Sequence, residues 1–217
     1  MVILDDKPYH EAVAIVLSQK KRNGIAEKLY LFAKEKFDIN IINYTYCIVD
    51  KRRRLGIILK SDKEYDFMHR SRFVSDPQKD AIIASNFNKI LKSYPSIKKF
   101  DIEKDFVSYY NLQDEAIVDA NWKTNKKYRD TLKNDFSEIW EILPIFRSTT
   151  VFYTTDLDVS KYNKSGLSRK IHEAYYRKIK EFDLLKYLNN KDDFAVNFDS
   201  KENLDKNYQG SLFYYSR

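Results

Sequence analysis

Thr149-Thr150-Val151-Phe152-Tyr153-Thr154-Thr155 is the stretch on which the reading of the fold turns. It is made of β-branched and aromatic residues with no strong helix former among them, so it predicts a strand. Asp156 and Asp158 follow at the spacing that ends a strand and opens a helix. Behind Ser165-Gly166, the set Leu167, Ile171, Tyr175, Ile179 and Phe182 recurs at helical spacing. Phe194-Ala195-Val196-Asn197-Phe198 alternates and predicts a second strand. Asp199 with Glu202 reads as a capping box for a short helix to Tyr208, and Gly210 turns the chain into a final strand over residues 212–215. Strand, helix, strand, short helix, strand predicts a small, mostly antiparallel sheet covered by helices on one face.

Upstream the helical period dominates. Asp6 is placed to cap a first helix carrying Pro8 in its first turn, with Lys20, Lys21 and Arg22 at its end and Gly24 as C-cap. Ile25, Leu29 and Phe32 continue a second helix to Lys36. Residues 39–49 and Leu55 to Leu59 read as strands joined through Asp50-Lys51-Arg52-Arg53-Arg54, a hairpin with a basic tip. That loop has no Gly, Pro or Asn, so a helix through Arg54 is the alternative. Asp76-Pro77 starts a helix that Pro95 stops. Residues 101–143 read as a long helix, divided at Asn111 and ended by Pro144. The fold class is a helix-rich α+β domain whose sheet comes largely from the C-terminal third. The expected organisation is one domain over 1–217, divisible into a helical part (1–145) and an α+β part (146–217), without internal repeats.

Composition narrows the function. The 217 residues hold four glycines, none within reach of another, so neither a dinucleotide turn nor a nucleotide phosphate loop can be written. One cysteine excludes an intrachain disulfide and favours a reducing compartment. The N-terminus carries Asp5 and Asp6 and no apolar core of a signal peptide. The longest apolar runs fall far below the roughly 18 residues of a membrane span. The expected location is cytoplasmic. The net charge of +7 is uneven: residues 1–100 hold 20 Lys and Arg against 12 Asp and Glu, while the remainder is nearly neutral.

Metal and nucleophile signals are weak. His10, His69 and His172 have no second ligand at metal spacing. Cys47 sits in an apolar strand and reads as an inert buried thiol. No serine lies in a G-x-S-x-G elbow. No cofactor and no metal are expected. The best polar cluster is basic: Lys51, Arg52, Arg53 and Arg54, then His69, Arg70 and Arg72, with Tyr65, Phe67 and Phe73 interleaved. Arginines pair with phosphates and aromatics stack on bases, so the cluster fits RNA or single-stranded DNA, with a solvated hairpin tip or a protein-partner surface as the alternatives. The tyrosine pairs Tyr109-Tyr110, Tyr175-Tyr176 and Tyr214-Tyr215 add to this. Adjacent residues point to opposite sides, so one ring of each pair is expected to be at least partly exposed, and exposed Tyr and Arg are common interface anchors.

The stretches Thr150-Val151-Phe152-Tyr153-Thr154-Thr155-Asp156 and Phe198-Asp199-Ser200-Lys201-Glu202-Asn203-Leu204-Asp205-Lys206-Asn207-Tyr208-Gln209-Gly210, before an aromatic segment, resemble small bacterial immunity proteins of polymorphic or contact-dependent toxin systems. The resemblance covers about a third of the chain and implies an inhibitor that covers the active site of a cognate toxin. The basic charge departs from the acidic inhibitors of basic nucleases and points to an acidic or neutral toxin face. On this reading the anchors are Arg52, Arg53, Arg54, His69, Arg70, Arg72, Tyr109, Tyr110, Tyr214 and Tyr215. The alternative is a basic nucleic-acid-binding protein using Arg52–Arg54 with Arg70 and Arg72. A third reading is an enzyme with an acid-based site including Asp156 and Asp158.

Overall fold

The computed structural model describes residues 7–71, 74–101 and 104–217. The chain is α+β and divides into two compact units, Met1–Glu115 and Ala116–Arg217. The boundary falls inside a helix, where the sequence carries no Pro/Gly-rich linker to mark it, rather than near residue 145.

Unit 1 begins with α1 (Lys7–Val16) and α2 (Gly24–Phe37). The expected cap Asp6 lies outside the described residues. α1 ends earlier than its apolar stripe implied, and Gly24 opens α2 instead of closing α1. The reason is Asn23, whose side chain accepts from the backbone N–H of Ile25 (3.0 Å) and Ala26 (2.9 Å). Ile25, Leu29 and Ala33 then lie on one buried face.

The hairpin is real: β1 (Ile41–Val49) runs antiparallel to β2 (Arg52–Leu59). α3 (Asp62–Phe67), the short ribbon β3 (His69–Ser71) with β4 (Val74–Ser75), and α4 (Pro77–Leu91) then lead to β5 (Phe106–Asn111), which lies parallel to β2. The strand order is β1-β2-β5. As the central strand, β2 is buried continuously from Leu55 to Leu59. Leu55, Ile57 and Leu59 join Leu29, Ile83, Phe87 and Tyr109 in one core.

Residues 106–111 were expected to be helical. The run Phe-Val-Ser-Tyr-Tyr is rich in strand formers, and pairing with β2 decides its conformation. Asn111 does break the segment: its side chain accepts from the N–H of Gln113 (3.1 Å) and Asp114 (3.3 Å) and starts α5 (Leu112–Asp135).

Unit 2 holds most of α5, then β6 (Glu141–Ile145), β7 (Ser148–Tyr153), α6 (Asp156–Ser165), α7 (Leu167–Ile179), β8 (Ala195–Ser200), α8 (Lys201–Tyr208) and α9 (Leu212–Tyr215). Pro144 does not end a helix; it sits in β6, an edge strand, where a missing N–H is tolerated. β6 is antiparallel to β7, and β8 is parallel to it. The final strand expected at 212–215 is the short helix α9, capped by Ser211. The core joins Val151 and Tyr153 to Ile171, Tyr175 and Ile179, with Tyr175 stacked on Phe194 at 5.8 Å.

No internal repeat is visible in the sequence, yet the two units share one topology. From the hairpin onward, and setting aside the β3–β4 ribbon of unit 1, each runs hairpin, two helices, a third strand parallel to the hairpin's second, and a helix leading away. Strand content is therefore spread over both units rather than concentrated at the C-terminus. The shared topology produces a shared polar corner. Two parallel strands end side by side, so the helices that follow them bring two sets of unpaired N–H groups together.

In unit 1, Ser61 and Glu64 form a capping box, Asn111 Nδ2 donates to Asp62, and Asp62 N donates to Gln113 Oε1 at 3.2 Å. In unit 2, Thr155 and Asp158 form the box, Ser200 Oγ donates to Asp156, and Asp156 N donates to Glu202 Oε2 at 3.1 Å. The spacing matches residue for residue: Ser61 with Thr155, Asp62 with Asp156, Glu64 with Asp158, Asn111 with Ser200, Gln113 with Glu202. The N-cap of α8 is thus Ser200 rather than Asp199, and Glu202 serves the neighbouring helix. Asp156 and Asp158 end the strand and open the helix, as expected.

Glu115, in the first turns of α5, lies among Tyr9, Ile58, Tyr110 and Leu112. Burial, with a smaller push from Asp114, raises its carboxyl to about 7. The folded chain therefore binds more protons than the unfolded one between the ordinary value of 4.5 and 7, and its stability falls as pH rises through that window. Glu115→Gln is expected to stabilise the protein by about 1 kcal/mol at pH 8, after allowance for partial exposure, and to change little at pH 4. Urea unfolding of both proteins at the two pH values checks this.

Candidate functional site

Three of the ten side chains singled out in the sequence, Arg52, Arg53 and Arg54, lie on the basic hairpin. Its turn residues, Asp50 and Lys51, both adopt left-handed conformations (φ 49° and 66°). A two-residue hairpin of this hand normally uses Asn or Gly, so the missing turn signal reflects an unusual composition and not a missing turn. Lys51 and Arg52 are exposed, as are Cys47 and Ile48, the latter at 72%. Cys47 is therefore not the buried thiol its apolar strand implied, because the end of β1 carries its side chain out of the core.

The three arginines have different fates. Arg52 donates through Nε to the Lys104 carbonyl, with its guanidinium 5.2 Å from the Phe106 ring centroid. Arg53 is held by the buried carboxylate of Asp105: its backbone N–H donates to Oδ1 at 2.9 Å and Nη1 to Oδ2 at 3.2 Å. Burial alone would push the Asp105 carboxyl up; the N–H groups of Asp101 and Arg53 and the guanidinium outweigh it and hold the group below its ordinary range. Arg54 meets no carboxylate among the described residues. Its Nη2 points at Cys47 Sγ (3.8 Å) and its guanidinium lies 5.8 Å from the centre of the Tyr110 ring.

His69 and Arg70 lie on the β3–β4 ribbon. His69 Nδ1 is 2.7 Å from the Tyr65 carbonyl, which fixes the proton on Nδ1; the ring stacks on Tyr65 at 4.0 Å and meets Tyr109 edge-on at 5.5 Å. Arg70 pairs with Asp76 at 3.5 Å. Arg72 lies outside the described residues. Tyr109 donates to Asp80 Oδ1 at 2.8 Å, and Ser75 donates to Asp80 Oδ2 at 2.5 Å. Burial pushes the Asp80 carboxyl up, offset in part by these two hydroxyls. Asp80 and Asp105 both line a cleft of about 270 Å³ between α4 and the start of β5, with Phe100, Phe106 and Val107.

Tyr109 and Tyr110 are both buried, against the expectation that one would be exposed. Both faces of β5 are covered: Tyr109 enters the α4 core, and Tyr110 lies against Gly56 and Ile58 on the other side. Tyr214 and Tyr215 lie in unit 2, on α9. Tyr214 is 52% exposed beside exposed Phe213, whereas Tyr215 donates to Asp199 Oδ2 at 2.7 Å and packs edge-on against Phe152 and Tyr208. Tyr175 is fully buried and Tyr176 partly so, as expected.

The sequence reading missed Asp105, which anchors Arg53, and Asp80, which ties Tyr109 to Ser75. Each is one of many acids in the chain and carries no local motif; only the fold brings it to its partner. Among the described residues no group of three or more His, Cys, Asp or Glu side chains is placed to hold a metal ion. No helix among them is long and apolar enough to cross a membrane. Neither the protein-family models nor the curated proteins contain a match to this chain.

Proposed function

We propose that this chain is a binding protein, an antagonist of the immunity-protein kind, which acts by covering an acidic face of a cognate protein. The observation that carries the reading is the exposed end of the β1–β2 hairpin. Lys51, Arg52 and Ile48 stand in solvent there, combining charge with an apolar anchor on a strand edge. The hairpin is rigidly mounted, because Arg53 and Asp105 fasten it to the segment entering β5. A preorganised surface loses little entropy on association. Fewer arginines than the sequence implied are available for phosphates, since Arg53 and Arg70 each serve an internal acid.

The test is co-purification from the source cell with nuclease present, comparing the natural chain with a Lys51→Glu/Arg52→Glu variant. A near-stoichiometric acidic protein, retained by the first and lost by the second, is the expected result. Nucleic acid as the sole companion, released by moderate salt as counterions compete, would overturn the proposal and assign the basic end to phosphates.

A further inference from the structure

The face of the first sheet that carries Gly56 holds three polar atoms that no group among the described residues satisfies. Strand pairing places Thr45, Gly56 and Ser108 in one cross-strand row and Cys47, Arg54 and Phe106 in the next. Thr45 Oγ1, Ser108 Oγ and Arg54 Nε are buried, and none has a hydrogen-bond partner among the described residues. Orphaned buried donors are rare in native folds, and three on adjacent rows of one face call for a common explanation.

Gly56 lets Thr45 and Tyr110 close onto the central strand. A Cβ there would stand 2.3 Å from Thr45 Oγ1 and 2.5 Å from the Tyr110 ring, so both lie directly on the glycine backbone. Arg54 rests against the same Tyr110 ring. It is a half-buried cation with no counter-ion among the described residues, which is costly unless something supplies one.

We propose that Arg54, Thr45 and Ser108 form the seat of a carboxylate, which under the preceding reading is an Asp or Glu side chain of the partner protein. The three groups are donors, and an ionised carboxylate is acceptor-only. One positive charge with two neutral hydroxyls balances a monoanion, whereas a phosphate dianion would keep an uncompensated charge. The carboxylate enters past exposed Cys47, at the hairpin end already assigned to the partner.

Sodium acetate, titrated at constant ionic strength made up with sodium chloride, tests the seat directly by the nitrogen–proton NMR signal of the arginine Nε–H groups. One signal should move saturably, and Arg54→Met should remove it. Thr45→Val with Ser108→Ala should weaken acetate about a hundredfold, the effect of losing two hydrogen bonds to a charged group. Because Arg54→Met deletes an unpaired half-buried charge, it should melt no lower than the natural chain. A non-saturating response, a stronger response to inorganic phosphate, or a clear loss of thermal stability in Arg54→Met would overturn the assignment. Acetate binding without any protein partner would leave the seat standing and sink only the antagonist reading.

Discussion

Asp105→Ala is expected to destabilise the protein by about 3–5 kcal/mol, the range for removing one partner of a buried charged pair. The carboxylate accepts three hydrogen bonds. Two come from Arg53, backbone and guanidinium, and one from the N–H of Asp101 at 2.8 Å. These donors are fixed by the hairpin and by the turn ahead of β5, so none can follow a vanished acceptor. Deletion strands a half-buried guanidinium and two backbone N–H groups, and each lost partner adds its own desolvation cost. Asp105→Asn keeps one acceptor oxygen and should cost clearly less.

The pH dependence has a definite sign. The folded carboxyl lies below its ordinary value, so its contribution is complete above the unfolded pKa of about 4 and fades as pH falls through the folded one. Chemical denaturation at pH 7 and in acid measures both effects. A cost under about 1 kcal/mol, typical of an exposed ion pair, would show that Asp105 is not the fastening of the hairpin.

The same pair shows what a sequence can and cannot disclose. The helix at Asp76-Pro77, the strand at 149–153 and the helix at 167–179 were legible because each is specified locally, by a cap or by period. β5 was not, because its conformation depends on pairing with β2, a distant segment. The basic run was legible as charge, but its division into a fastened Arg53, an outward Arg52 and an Arg54 that meets no carboxylate among the described residues was not. That division depends on Asp105 and Gly56, which the fold brings to it.

The duplicated corner was hidden for a different reason. Ser61 and Thr155, Glu64 and Asp158, Asn111 and Ser200 are chemically equivalent as caps while differing as letters. The constraint acts on hydrogen-bonding capacity where two helix N-termini converge, and several residues meet it. A search for identical residues passes over such a repeat, whereas an inventory of donors and acceptors at strand ends finds it.

Asn121→Leu should cost unit 2 about 3 kcal/mol, through two losses that can be separated. Asn121 is fully buried on α5 and uses both ends of its amide. Its Nδ2 donates to the carbonyls of Phe146 (3.0 Å) and Ser148 (2.7 Å), holding the β6–β7 turn in which Phe146 takes a left-handed φ of 48°. Its Oδ1 accepts from Thr149 Oγ1 and Tyr175 OH, each at 2.7 Å. Leucine approximates the shape and removes every bond, leaving two buried hydroxyls and two carbonyls short of a partner at roughly 1 kcal/mol or more apiece. The hydroxyls are 3.0 Å apart and can still bond each other, and the turn carbonyls can reach water, which keeps the total below the full sum. Tyr175→Phe alone should cost about 1 kcal/mol. In that background Asn121→Leu should cost less than it does alone, because one of the groups it strands is already gone. A double-mutant cycle by urea unfolding reads this coupling, and hydrogen exchange at residues 146–148 reads the turn. Strict additivity together with unchanged exchange would mean that Asn121 fills space and organises neither the hairpin nor the core hydroxyls.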